Sequence, residues 1–155
     1  MEQVTEYRHK LIEEYKQAAG PLFKFVPWLE KNSGKPGSTN YRGQGFTEHS
    51  MSFPVYDATL MSFMKEASAS SLMDRNYNYV YTRKNIKTHE QERKMILAAG
   101  VNDWDTLRGI LSKYVLGGRV RSKLWSEGVQ ERIFLMVLEQ MRKIIEYWDK
   151  PMEAG

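Results

Sequence analysis

The chain contains no cysteine, which excludes disulfides, thiolate metal sites and a cysteine nucleophile. Its longest unbroken apolar run is Ile133 to Leu138, far short of the roughly 20 apolar residues that a membrane-crossing helix needs. A strong excess of one charge is also missing. The 23 basic and 19 acidic residues leave a formal net charge of +4, which permits an anionic partner without implying one. The three histidines, His9, His49 and His89, are too scattered to suggest a ligand set, and neither a metal nor a cofactor is expected. No phosphate-binding glycine loop with its lysine and hydroxyl is present, and Gly43-Gln44-Gly45 lacks both a third glycine and a preceding strand. Residues Met1 to Glu6 hold no basic stretch leading into an apolar one. They do not read as a secretory signal, so a cytoplasmic location is the expectation.

What is present is enough apolar material for one core. Hydrophobic residues make up 41% of the 155 residues, with four Trp, nine Tyr and six Phe, and a chain of this length buries roughly 70% of its unfolded surface. A single helical domain over residues 1–155 is therefore expected, all-α, with about five to six helices. Val4, Tyr7, Leu11, Tyr15 and Ala18 form one amphipathic stripe that ends at Gly20-Pro21. Pro21 suits the first position of a second helix, which Pro27 keeps short or kinked. Asp57 is a good N-cap for a third helix carrying Leu60, Met61, Phe63, Met64 and Ala67. Thr88 and Gln91 have capping-box spacing ahead of Met95 to Ala99. Asp103 caps the next helix, whose stripe is Leu107, Ile110, Leu111, Tyr114 and Val115. A final helix is expected from about Ser126 to Asp149. Its apolar side is broadened by Phe134, Leu135 and Leu138, so it either runs through the core or is partly covered by a second copy in a homodimer.

Two stretches resist a regular reading. Residues 32–52 are dense in glycine, serine and proline and predict a long mobile loop. The alternative function is an enzyme of unknown class that uses the loop at residues 41–57, where Glu48 stands beside His49. Asn76 to Tyr81 alternates polar and aromatic residues, and with no second strand in reach it is expected to be irregular or locally extended.

Chemistry-bearing patterns are few. His89-Glu90-Gln91-Glu92-Arg93 begins like a zinc-protease helix, but Arg93 stands where the second histidine belongs. Met95 to Val115 reads helix, turn, helix, yet Asp103 and Asp105 would meet DNA phosphates with the wrong sign, and ordinary helix packing is the reading. The most informative segment is Lys113 to Trp125, with four basic residues and no acid around Gly117-Gly118. Cations beside a glycine turn, where backbone amides can approach a ligand closely, suit an anion. Tyr77, Tyr79, Tyr81, Lys113, Arg119, Arg121, Lys123 and Trp125 are therefore the candidate binding residues. Nucleic acid is a weaker alternative for this basic turn, and solvated surface charge is the plain one.

The segments Tyr77 to Thr82 and Ile110 to Val115, continuing through Gly117, Arg119 and Trp125 to the Ile133 helix, resemble a small bacterial family of unknown function over residues 54 to 148. The resemblance implies a helical domain and carries over no catalytic residues. Where this chain has Gly118, the family pattern has an acidic residue. The function expected is that of a noncatalytic interaction module, either self-associating as a homodimer or meeting an acidic protein or other anionic partner.

Overall fold

The computed structural model describes residues 2–34, 38–41, 53–121 and 123–148. Helix α1 spans Glu2–Ala19, and the break at Gly20-Pro21 turns the chain into a 3-10 segment, Gly20–Phe25. Helix α2, Val26–Asn32, follows with Pro27 in its first turn, where a missing amide leaves no hydrogen bond unmade. Strands β1 (Ser38–Tyr41) and β2 (Phe53–Tyr56) pair antiparallel, with Asn40 opposite Pro54. Part of the expected 32–52 loop is thus a strand. Residues 35–37 and 42–52, with Glu48 and His49, lie outside the described residues.

The remaining helices are α3 (Ala58–Ala69), α4 (Tyr77–Arg83), α5 (His89–Ala98), α6 (Trp104–Gly117), α7 (Lys123–Gln130) and α8 (Ile133–Trp148). Apart from the β1–β2 ribbon, the fold is all-α. Among the described residues there are eight α-helices rather than five or six, because α4 replaces an expected irregular segment and the expected last helix is two. Several termini form as their residues dictate. The Asp57 carboxylate accepts from the Thr59 amide at 2.7 Å. Thr88 and Gln91 close a reciprocal capping box ahead of α5. Asp103 opens α6 but caps the 3-10 turn Val101–Asp103 instead, accepting from the Gly100 amide at 2.9 Å.

The expected helix from Ser126 to Asp149 breaks at Arg132, whose φ of 66° lies in the left-handed region. For a residue with a Cβ that conformation costs roughly 1–2 kcal/mol. The break is clamped by Arg93, which donates from one guanidinium nitrogen to the Glu131 carbonyl and carboxylate at 3.2 and 3.1 Å. It lets α7 fold back against α6 while α8 crosses the core. Phe134, Val137, Leu138 and Met141 are fully buried there, and α8 packs against α1, α2, α5, α6 and α7. The broad apolar side of α8 is therefore covered within the chain, by helices on several sides.

Two glycines set how closely helices approach α6. A Cβ at Gly109 would stand 2.7 Å from a Val80 methyl, so α4 rests directly on the α6 backbone. A Cβ at Gly118 would stand 2.1 Å from the Trp125 indole and 2.8 Å from the Tyr114 carbonyl. The Gly118→Ala substitution must displace that indole. It is expected to destabilise the fold by about 1–3 kcal/mol, the usual range for overpacking. Urea unfolding measures the loss, and a red-shifted tryptophan emission reports the displaced ring.

Candidate functional site

An aromatic chain leads from the core to the one buried acid among the described residues. Phe25, Phe63, Phe134 and Tyr114 meet edge to face in succession, with ring centroids 5.2–5.9 Å apart. Beyond Tyr114 lies Glu92 of α5, only 1% exposed. Glu92 occupies the helix face that also carries Ile96 and Ala99, the spacing of a buried stripe. A carboxylate there must be hydrogen-bonded to be tolerated, and four groups converge on it. The Tyr114 hydroxyl donates at 2.6 Å, and the Tyr81 hydroxyl donates to the other oxygen. His89 Nδ1 lies at 2.8 Å and the Lys113 ammonium at 3.4 Å. Because a carboxylate only accepts, His89 Nδ1 carries a proton in this contact, and Nε2 lies 3.8 Å from Glu127. The Lys113 ammonium also lies over the Tyr81 ring, 4.6 Å from its centroid, a favourable cation–π placement.

The electrostatics follow from this packing. Burial alone pushes the Glu92 carboxyl up, but the hydrogen bonds from Tyr114, Tyr81 and His89 and the Lys113 charge outweigh it. The carboxyl ends below its ordinary 4.5 and is ionised. Burial and the same anion push the Tyr81 and Tyr114 hydroxyls far up, so both stay neutral donors. A carboxylate offers about four lone-pair sites, and here four donors take them. Glu92 thus ties α4, α5 and α6 together. Among the described residues, no three His, Asp or Glu side chains converge as metal ligands.

The sequence-predicted residues divide into two groups. Tyr77 and Tyr81 lie on one face of α4, a helix rather than an extended segment, and both turn toward α6. Lys113 joins the Glu92 centre. Trp125 covers Gly118 and donates to the Val115 carbonyl at 3.0 Å. Tyr79, Arg119, Arg121 and Lys123 are exposed. The glycine turn is not an anion cradle. The amides of Gly118, Arg119, Val120 and Arg121 all donate back to α6 carbonyls, and Gly118 is buried beneath the indole. What the turn does present is side chains. Val120 is 90% exposed between Arg119 and Arg121.

Sequence reading missed Glu92 and Arg108. The Arg108 guanidinium binds Asp105 and the carbonyls of Ser71, Leu72 and Met73, fastening the segment after α3 to α6. The stripe Glu92, Ile96, Ala99 was available as a signal for Glu92. Nothing in the chain pattern announced its tyrosine partners.

Fold and centre together define an all-α domain whose helices converge on a buried, fully hydrogen-bonded carboxylate. The chain belongs to a family of unknown function (DUF6508), whose model matches residues 15–147. No curated protein and no solved structure matches the chain. Among the described residues, no helix is long and apolar enough to cross a membrane.

Proposed function

We propose that the domain is a noncatalytic binding module that docks an acidic protein surface on the turn from Arg119 to Lys123. The observation that carries this reading is Val120, 90% exposed, with exposed cations on both sides of it. An apolar point within a basic rim suits a protein partner with a small apolar pocket among carboxylates. None of Arg119, Arg121 and Lys123 has an ion pair among the described residues. The turn is also held in place, by its amide bonds to α6 and by Trp125 over Gly118. Little ordering entropy is then lost on docking. The noncatalytic part of the reading is supported by Glu92, whose lone pairs are taken and whose basicity is lowered, the reverse of what a general base needs. A homodimer has less support, because the α8 side that suggested it is covered by other helices of the same chain. A cytoplasmic location is part of the proposal.

The test is cross-linking in cell extract with the parent, with Arg119→Glu/Arg121→Glu and with Val120→Asp, all three residues being exposed and the folds checked by circular dichroism. An acidic protein should be recovered with the parent, less of it at high salt because screening weakens exposed charges, and lost with both variants. The same partners recovered with all three proteins would remove the turn from the interface. Tight oligonucleotide binding with a steep salt dependence would reassign it to nucleic acid.

A further inference from the structure

The exposed half of the α1 stripe borders a second site. Tyr7, Leu11 and Tyr15, four residues apart on one face, form one wall of a groove of about 490 Å³, and the start of α6 forms the other. That volume falls within the usual range for small-molecule sites, roughly 300–1,000 Å³. Its floor is aromatic. The Tyr15 ring lies flat on Trp104, with centroids 3.8 Å apart and planes 5° apart, and Trp104 beneath it is buried. Tyr7 at the lip is 67% exposed. This lip and floor form an aromatic surface whose lip is left exposed among the described residues.

The charge around this surface is negative. Glu14 and Asp105 line the groove, and the Asp105 side chain is 83% exposed. Among the described residues the one cation in the lining is Arg108, and its guanidinium is already spread over Asp105 and the carbonyls of Ser71, Leu72 and Met73. The Tyr15 hydroxyl, which donates to the Val101 carbonyl at 3.4 Å, is pushed up to about 12 by burial and by the charges of Asp105, Tyr7 and Glu14, with Arg108 only partly opposing them. Two carboxylates against one arginine leave the described lining of the groove net negative.

We propose that this groove binds a small organic cation, an ammonium or guanidinium on a flat or apolar stem, with the stem against Tyr15 and Tyr7 and the charge between Glu14 and Asp105. The ring faces take up a flat or apolar stem by stacking, and the two carboxylates attract the charge. The site lies at the first turn of α6. The basic turn of the proposed docking surface lies at the last, roughly 20 Å away at 1.5 Å per residue, and the two readings stand or fall separately.

An NMR titration tests it, with phenethylammonium and agmatine as probes and 2-phenylethanol as the neutral control. The backbone amides of Val101, Asn102 and Asp105 should shift saturably with both cations and at least tenfold more weakly with the alcohol. Glu14→Gln/Asp105→Asn leaves the exposed side chains their size and should weaken phenethylammonium at least tenfold. Tyr7→Ala should weaken it severalfold with the fold unchanged. Equal binding of the alcohol, unchanged binding by the double variant, or no saturable shift with either cation would each overturn the proposal. So would a blocked arginine tripeptide that bound tenfold more tightly than agmatine, because the ligand would then be a protein side chain.

Discussion

Leu138→Glu should leave the chain unfolded at neutral pH. Leu138 is 0% exposed on a helix packed from several sides within its own chain, so the new carboxylate is cut off from water. Truncating such a leucine to alanine costs about 2–5 kcal/mol. Forcing in a charge adds desolvation that no partner offsets. The sum rivals the whole stability of a typical domain, about 5–15 kcal/mol. Circular dichroism should then report lost helix, and Leu138→Met, of similar volume, should stay within about 1.5 kcal/mol of the parent. Leu135 broadens the same apolar side in the sequence. It is only half-buried, so Leu135→Glu has room to turn toward water and should cost less. A folded Leu138→Glu chain of half the parent's mass by light scattering would mean instead that this side of α8 faces a second copy.

The contrast between those two leucines marks where sequence reading stops. The stripes of α1, α3, α5 and α6 and the caps at Asp57 and Thr88 were legible because each signal lies within one helix turn of its partner. Tyr77 to Tyr81 was not. Seven residues are too few to establish a helical period, and the alternation of Tyr with Asn imitates a strand. Its helix is supported from outside, by Val80 resting on Gly109 and by Tyr81 reaching Glu92 across eleven residues. The break at Arg132 was invisible for the opposite reason. Val129 and Ile133 keep helical spacing across it, neither Gly nor Pro marks it, and the clamp comes from Arg93, 38 residues earlier. In the basic segment, sequence grouped four cations of which Arg119, Arg121 and Lys123 are exposed while Lys113 turns to Glu92, and it misread Gly118, which serves close packing. A glycine beside an arginine looks the same in sequence whether its amide faces a ligand or an indole covers it.

Glu92 is where these long-range contacts meet, and its removal gives the second large effect. Glu92→Ala strips the Tyr81 and Tyr114 hydroxyls of their acceptor and leaves a cavity at a fully buried position. Hydrogen bonds to a charged group contribute about 1.5–3 kcal/mol each, and buried donors left unmet cost comparable amounts. His89 remains 2.9 Å from the Tyr114 hydroxyl and offsets part of the loss. The expected cost is about 3–5 kcal/mol, the range for breaking a buried charged network. Glu92→Gln keeps the shape and one acceptor and should cost less.

The pH dependence separates this role from simple packing. The folded pKa of Glu92 lies below its ordinary 4.5. Its contribution is therefore complete above 4.5, where the unfolded chain is ionised as well, and is lost as pH falls from there through the folded value. The Tyr81 and Tyr114 hydroxyls have raised folded pKa values against an ordinary 10.0. Their contribution is complete below 10 and declines as pH rises beyond it, because the unfolded chain then gains by ionising. Urea unfolding across pH should accordingly find the stability gap between parent and Glu92→Gln shrinking below about 4.5, the ordinary carboxyl value. A Tyr81→Phe/Tyr114→Phe chain, less stable at neutral pH, should lose less than the parent above about 10, the ordinary phenol value. A gap between parent and Glu92→Gln that stayed constant through the acid range would mean that Glu92 titrates as in the unfolded chain, and one that grew as pH fell would mean that it is neutral in the fold; either result would rule out the stabilised anion.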